Sequence, residues 1–239
     1  MKNKRLINKT YTLTVEGECE KFYFEHLRKL INSNQNRKYN CEFKPDIAIK
    51  KNPLRYAKNF STITNKFFHI QDIEDYNDEY QRKKFEDLIN DIQMANKYVD
   101  YKLGYTNFSF ELWIILHKRQ MKHSISHRKE YVKYINEEFK RNYNYIDEYK
   151  AEVEFKKILS EITLDDIYLA IKRAKEIRKA NIDGTSLSFK QKKIKFGKYE
   201  FFTINPDLDI FEIVEIILND CLGNKWYKFF SSPNWELFF

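Results

Sequence analysis

The sequence predicts an α/β protein: a mostly parallel sheet flanked by helices, with a helical elaboration towards the C-terminus. Two patterns carry that expectation. Short β-branched and aromatic runs at residues 10–15, 41–49, 66–71 and 99–105 alternate with segments of helical period, the arrangement of parallel strands joined by helical crossovers. Beyond about residue 125 such runs give way to long polar helical segments. The change divides a core of residues 1–125 from an elaboration of residues 126–239. No Gly-, Pro- or Ser-rich linker separates them, so one compact unit is expected.

Thr10-Tyr-Thr-Leu-Thr-Val15 reads as the first strand. Glu18 to Ile31 places Phe22, Phe24, Leu27, Leu30 and Ile31 at mostly helical spacing. Cys41 to Ile49 reads as a second strand, and Asn52 caps a helix through Lys58 with Pro53 at its first position. Lys66 to Gln71 is a short apolar run of the kind found in buried strands, followed by a helix from about Asp78 to Lys97. Residues 99–105 form the fourth strand, after which Ser109 is expected to cap an apolar helix from Phe110 to Lys118. Helices follow at about 127–142, 147–159 and 164–180, then a basic segment, a strand at 199–204 and a helix at 208–220.

Composition removes several classes of function. The 239 residues include only five glycines, with neither a Gly-x-Gly-x-x-Gly fingerprint nor a Gly-Lys-Ser/Thr loop, so nucleotide binding by those routes is excluded. Cys19, Cys41 and Cys221 are far apart and form no Cys-x-x-Cys pair, which suits a reducing compartment and offers no zinc site. No apolar run approaches the length of a membrane span and no apolar h-region follows the basic start, so a cytoplasmic protein without membrane partners is expected. The net charge of +8 invites a nucleic-acid partner, but a Lys-, Asn-, Ile-, Tyr- and Phe-rich composition also follows from an AT-rich genome. Clustering says more than the total. Lys2, Lys4, Arg5 and Lys9 form one basic stretch, residues 118–133 a second, and Lys190, Lys192, Lys193, Lys195 and Lys198 a third. Lys118, Arg119 and Lys122, directly after the apolar helix, are the candidates to hold phosphates.

The chemistry is expected from the acids. Glu16-Gly17-Glu18-Cys19-Glu20 follows the first strand, and Asp72-Ile73-Glu74-Asp75 follows the third. The crevice beyond the carboxyl ends of strands is where open α/β sheets bind ligands. Gly17 is expected to let the chain turn sharply and leave Glu16 at the strand tip. If the two strands are neighbours, Glu16, Glu20, Asp72, Glu74 and Asp75 converge. Like charges at ~4 Å repel by about 4 kcal/mol at an effective dielectric of 20, so such a group calls for a cation. Hard oxygen donors suit Mg2+ or Mn2+, and the natural chemistry is metal-assisted attack on a phosphodiester. Glu18 reads as a simple helix-start acid. Glu111, early in the apolar helix, is either a cap or a supporting member of the site. His117 lies about 240° round that helix from Glu111, forms no dyad with it, and reads as core or as support for the site.

These residues resemble a known family. Val15-Glu16-Gly17-Glu18-Cys19-Glu20 with Tyr23-Phe24, the acidic tip Asp72–Asp75, Asn107-Phe-Ser-Phe-Glu-Leu-Trp113 with Leu116-His117, and Asn205-Pro206 before an amphipathic helix are similar to the RloB-like family over nearly the whole chain. Glu16-Gly-x-x-Glu20 also resembles the start of TOPRIM sites in overcoming-lysogenisation-defect nucleases. The resemblance implies a TOPRIM-like (Rossmann-like) fold and a role in bacterial anti-phage abortive infection beside an ABC/AAA-type ATPase. It implies Glu16 as ligand or general acid/base and Asp72 as the first Asp of an Asp-x-Asp pair. The chain departs from the pattern with Glu74 at the second position, Asp75 behind it, and Phe108 where Pro is usual. The expected function is therefore a divalent-metal-dependent nuclease cutting RNA, with tRNA the first substrate to test, or DNA. Glu16, Asp72 and Glu74 are its expected catalytic residues. Self-association stays open. A non-catalytic module that binds nucleic acid or the ATPase is the alternative.

Overall fold

The computed structural model describes residues 6–50, 52–60, 66–185 and 191–229. The chain opens with β1 (Asn8–Val15), whose odd positions Tyr11, Leu13 and Val15 are buried in one apolar cluster. Helix α1 (Glu18–Ser33) follows and buries Cys19, Glu20, Tyr23, Phe24, Leu27 and Ile31 along a single stripe. The expected strand over 41–49 is two short strands, β2 (Asn40–Phe43) and β3 (Ala48–Ile49). Both lie parallel to β1 on the same side, one at each end of it. Pro45 falls between them; it has no N–H to give the ladder, and the chain steps off the sheet edge there.

Asn52 caps α2 (Pro53–Ala57) by accepting the Arg55 N–H at 2.9 Å, with Pro53 at the first position as expected. Strand β4 (Lys66–Asp72) pairs parallel with the other side of β1, and α3 (Glu79–Ala95) carries the chain across to β5 (Tyr101–Asn107), parallel to β4. The apolar helix is the shorter α4 (Glu111–Leu116), and all six of its residues are buried. Ser109 does not cap it: Phe110 stands at the N-cap, and the Ser109 hydroxyl donates to Glu111 instead.

The second half holds α5 (Tyr131–Phe139), α6 (Ile146–Lys150), α7 (Glu152–Ser160), α8 (Leu164–Asp183) and α9 (Ile210–Leu222). The expected helix over 127–142 begins as a single 3-10 turn at Arg128–Glu130, capped by His127 in a reciprocal box with Glu130. The expected helix over 147–159 is broken at Ala151, whose ψ is 131°. No breaker residue marks that bend, and the Ala151 N–H still reaches the Asp147 carbonyl at 3.1 Å. The basic segment is itself a strand, β6 (Lys193–Phe196), in an antiparallel hairpin with β7 (Tyr199–Phe202). Strand β8 (Asp207–Leu208) adds an antiparallel edge to β5.

Among the described residues the main sheet therefore runs β2-β1-β4-β5-β8, mostly parallel, with β3 beside β1. The large apolar cluster covers one face and draws on α1, α4, α5, α7, α8 and α9, from both sides of residue 125. A smaller cluster of α2, α3 and the β6-β7 hairpin covers the other. Close approach of α9 to the sheet requires Gly104: a Cβ there would lie 2.8 Å from Ile213 and 3.2 Å from the Ile210 backbone. The order has a consequence for ligands. From β1 the chain first moves outward to β2 and then returns to add β4 on the opposite side. The topological switch point, the usual crevice of open α/β sheets, thus falls between the carboxyl ends of β1 and β4.

Candidate active site

Register sets the site. Val15 pairs with Ile70 and Asp72 with Thr106, so the acidic tips following β1 and ending β4 are neighbours next to the end of β5. Strand alternation then sends the two acids to different faces. Glu16 follows the even positions of β1 towards α3. Asp72 follows Phe68 and Ile70 towards the large cluster.

Glu16 is tightly held. Its Oε2 accepts the Asp72 N–H at 3.1 Å and a hydrogen bond from the Gln71 amide, and Oε1 pairs with Lys84 of α3 at 2.9 Å. Gln71 is in turn approached by His69, whose Nε2 lies 3.4 Å from Gln71 Oε1 and whose Nδ1 lies 2.8 Å from Thr14 Oγ1. Burial lowers the His69 pKa to about 4, which keeps the ring neutral. With the proton on Nε2, each group in the chain Thr14–His69–Gln71 donates to the next, and the last donates to Glu16.

Asp72 accepts the Thr106 hydroxyl on its other flank. Its carboxyl is pushed well above the usual range by burial first, then by the charges of Glu20, Glu16 and Glu111. Glu20 is buried on the inner stripe of α1 and its pKa is raised from 4.5 to about 7, again mainly by burial. Glu111 is wholly buried at the start of α4 and accepts the Ser109 hydroxyl at Oε2. Its Oε1 stands 3.0 Å from the ammonium of Lys150, an ion pair without an aligned hydrogen bond. Gly17 serves this group by its size rather than by a turn. Its backbone is extended, with φ −142°, and a Cβ there would lie 3.0 Å from Glu20 Oε2.

Glu16 is bonded to the Asp72 backbone, and the charges of Glu20, Glu16 and Glu111 all act on the Asp72 carboxyl. Glu74 and Asp75 take other partners. Glu74 takes a left-handed φ of 57°, uncommon outside glycine, and pairs with Arg128 at 3.4 Å. Asp75 is exposed and accepts the Asn77 N–H at 3.0 Å, closing a turn. His117 belongs to the core: its Nδ1 bonds the Trp113 carbonyl at 2.8 Å, Tyr23 lies 3.2 Å from Nε2, and burial lowers its pKa to about 3. Among the described residues no three His, Cys, Asp or Glu side chains form a group that could hold a metal as they stand.

The basic residues separate in the same way. Lys118 pairs with Asp166 at 2.9 Å and Arg119 with Glu137 at 2.7 Å, so both charges are neutralised by the helical half; Lys122 is exposed. Lys9 lies near the start of β1, ~23 Å of strand from Glu16 at the usual rise. Lys198 reaches Asp100 just ahead of β5, at 3.4 Å. Lys9 and Lys198 therefore stand away from the acidic strand tips; Lys2, Lys4, Arg5 and Lys190 lie outside the described residues. The cations that do stand at the acids are Lys84, Arg128 and Lys150. Lys84 and Lys150 come from polar helices whose sequence carries no spacing that ties them to the strand tips.

The fold and the site define an α/β protein with an acidic cluster at the switch point of a mostly parallel sheet. The family described as RloB-like protein matches residues 11–216, and the chain belongs to it. No curated protein and no solved structure gives a significant match.

Proposed function

We propose that this chain is a TOPRIM-like, divalent-metal-dependent nuclease that cuts RNA or DNA in the bacterial cytoplasm as part of anti-phage defence. The observation that carries the reading is the adjacency of the acidic strand tips at the crevice between β1, β4 and β5, where Glu16 accepts the Asp72 N–H and the charges of Glu20 and Glu111 act on the Asp72 carboxyl. The donor chemistry suits the group it would hold, although among the described residues no three of these carboxylates are gathered into a metal site. It is all carboxylate, the ligand type of Mg2+ and Mn2+, and it includes the buried Glu111 Oε1, which has no aligned donor. Glu16, Asp72, Glu20 and Glu111 would hold the ion, which when bound activates water and stabilises the leaving oxygen of a phosphodiester. The chain's own residues do the rest. Gln71 and the Asp72 N–H fix the Glu16 carboxylate, and Thr106 fixes Asp72. Lys84 and Arg128, each 42 % exposed, would meet substrate phosphates in this reading, and an ABC/AAA-type ATPase is the proposed partner.

The test is cleavage of tRNA, single-stranded and duplex substrates with Mg2+ or Mn2+, with and without the ATPase partner. Glu16→Ala and Asp72→Asn are expected to lower cleavage at least ~100-fold, the order found when groups acting on the transition state are removed. Intact substrates under every condition, with toxicity in cells unaffected by Glu16→Ala, would overturn the reading. A second reading, a non-catalytic module that binds nucleic acid or the ATPase, is favoured by Glu74, which is turned out to Arg128. Calorimetry separates them: the nuclease reading expects Mn2+ binding that is lost with Asp72→Asn.

A further inference from the structure

Lys150 sits where the sequence offered no reason to look. It ends α6, in the half of the chain remote from the strands in sequence, and its ammonium is 3.0 Å from Glu111 Oε1. Glu111 and Asp72 are the acids that act on it most, and it acts in turn on Glu20. Charge counting makes the position informative. Four carboxylates (Glu16, Glu20, Asp72 and Glu111) stand against two ammonium groups (Lys84 and Lys150), the Glu74–Arg128 pair balancing itself, so the fully ionised cluster would carry a surplus of two negative charges. One divalent cation balances that surplus. Such an ion on Glu111 and Asp72 would stand next to the ammonium, and its double positive charge would repel the lysine. Lys150 has a way out: its side chain is 34 % exposed and its stem is long and flexible.

We propose that Lys150 is the built-in counter-ion of the acidic cluster, and that a divalent cation enters by displacing it from Glu111. Metal binding is then coupled to the second half of the chain, because the residue displaced is the last of α6 and adjoins the bend at Ala151. Without the ion, Lys150 fastens α6 to α4. With it, that tie is released, and the ammonium is left at the rim of the site, where a substrate phosphate would arrive. The inference rests on the metal reading above and goes beyond it, since a cluster could bind a cation with the lysine left in place.

The experiment is Mn2+ titration calorimetry on the full chain and on Lys150→Met and Lys150→Arg. Loss of the competing charge is expected to tighten Mn2+ binding roughly tenfold or more, whereas Lys150→Arg keeps the charge and stays within about threefold of the parent. A second measurement needs no variant. Acylation of lysines read by mass spectrometry is expected to modify Lys150 several times faster in saturating Mg2+, with exposed Lys133 unchanged as control. That measurement decides the matter if Lys150→Met fails to fold. Equal or weaker Mn2+ binding by a folded Lys150→Met, or Lys150 labelling that Mg2+ leaves unchanged or slows, overturns the inference while the metal reading stands. Absence of Mn2+ binding in both the parent and Lys150→Met overturns both.

Discussion

Glu20 shows what one residue does when burial and charge disagree. It lies on the same stripe as Tyr23, Phe24, Leu27 and Ile31, so the helix that buries those apolar groups buries its carboxyl as well. Its pKa rises from 4.5 to about 7, chiefly through burial. A carboxyl whose folded pKa exceeds its unfolded value contributes stability fully below the unfolded pKa, and that contribution is lost as pH rises through the folded one. In metal-free buffer, Glu20→Gln is therefore expected to match the parent near pH 4.5 and to be more stable at pH 8, by up to about 3 kcal/mol. Urea denaturation at the two pH values measures it, and a difference that does not change with pH would refute it. The sequence singled out this residue for its place after the first strand, in Glu16-Gly-x-x-Glu20, and not for its burial. Glu16 and Asp72 were legible for a related reason, since each lies at the tip of a recognisable strand. Lys84, Lys150, Gln71 and Thr106 were not: their roles depend on register and on packing between elements far apart in the chain. The direction of Glu74 was not legible either, because a motif position records order, whereas the left-handed turn after β4 directs the side chain to Arg128.

Elements were read well where a single period governed them and poorly where tertiary contacts did. β1, β4, α1 and α3 fall close to their expected ranges, because β1 alternates, the helices repeat, and β4 is a short apolar run. β8 has two residues and exists only because β5 offers it an edge, so no local pattern announces it. What anchors it is a buried polar junction. Asp207, wholly buried, accepts Arg178 of α8 at 2.6 Å, Asn181 at 3.0 Å and the Tyr105 hydroxyl of β5, while Arg178 also reaches the Glu200 carbonyl at 2.9 Å. This junction ties α8, the hairpin and the sheet edge together. Removing one member leaves a buried charge uncompensated, so Asp207→Ala is expected to cost about 3–5 kcal/mol. Replacing both partners with apolar residues, Asp207→Leu with Arg178→Met, is expected to cost less than Asp207→Ala alone. Thermal unfolding of the two variants checks this order, and a double variant less stable than Asp207→Ala would show that the junction holds the edge by more than paired charge.

At the scale of the whole molecule the two halves share one interior. Among the described residues β1 to β5 come before residue 125 and only the short β6, β7 and β8 after it, but the core does not respect that change of pattern. Roughly half of the large apolar cluster comes from beyond residue 125, including Ile135, Phe155, Ile167 and Val214. Helix α4 is buried on every side because α5 and α8 close over it, and Lys150 reaches the strand-end acids from the same half. A chain of residues 1–125 would expose Leu112, Trp113, Ile114, Ile115 and Leu116, each of which loses about 1.5–3 kcal/mol of burial if fully uncovered. Those losses together approach or exceed the 5–15 kcal/mol by which a domain is stable, so the fragment is expected not to fold. It should be insoluble, or bind a hydrophobic dye and lack near-ultraviolet dichroism, while the full chain unfolds in one transition seen alike by fluorescence and far-ultraviolet dichroism. A soluble 1–125 fragment with native-like near-ultraviolet dichroism would instead make the strand half an independent domain. The acids would then have to hold their arrangement without Lys150, and the link proposed between the cation and α6 would lose its structural basis.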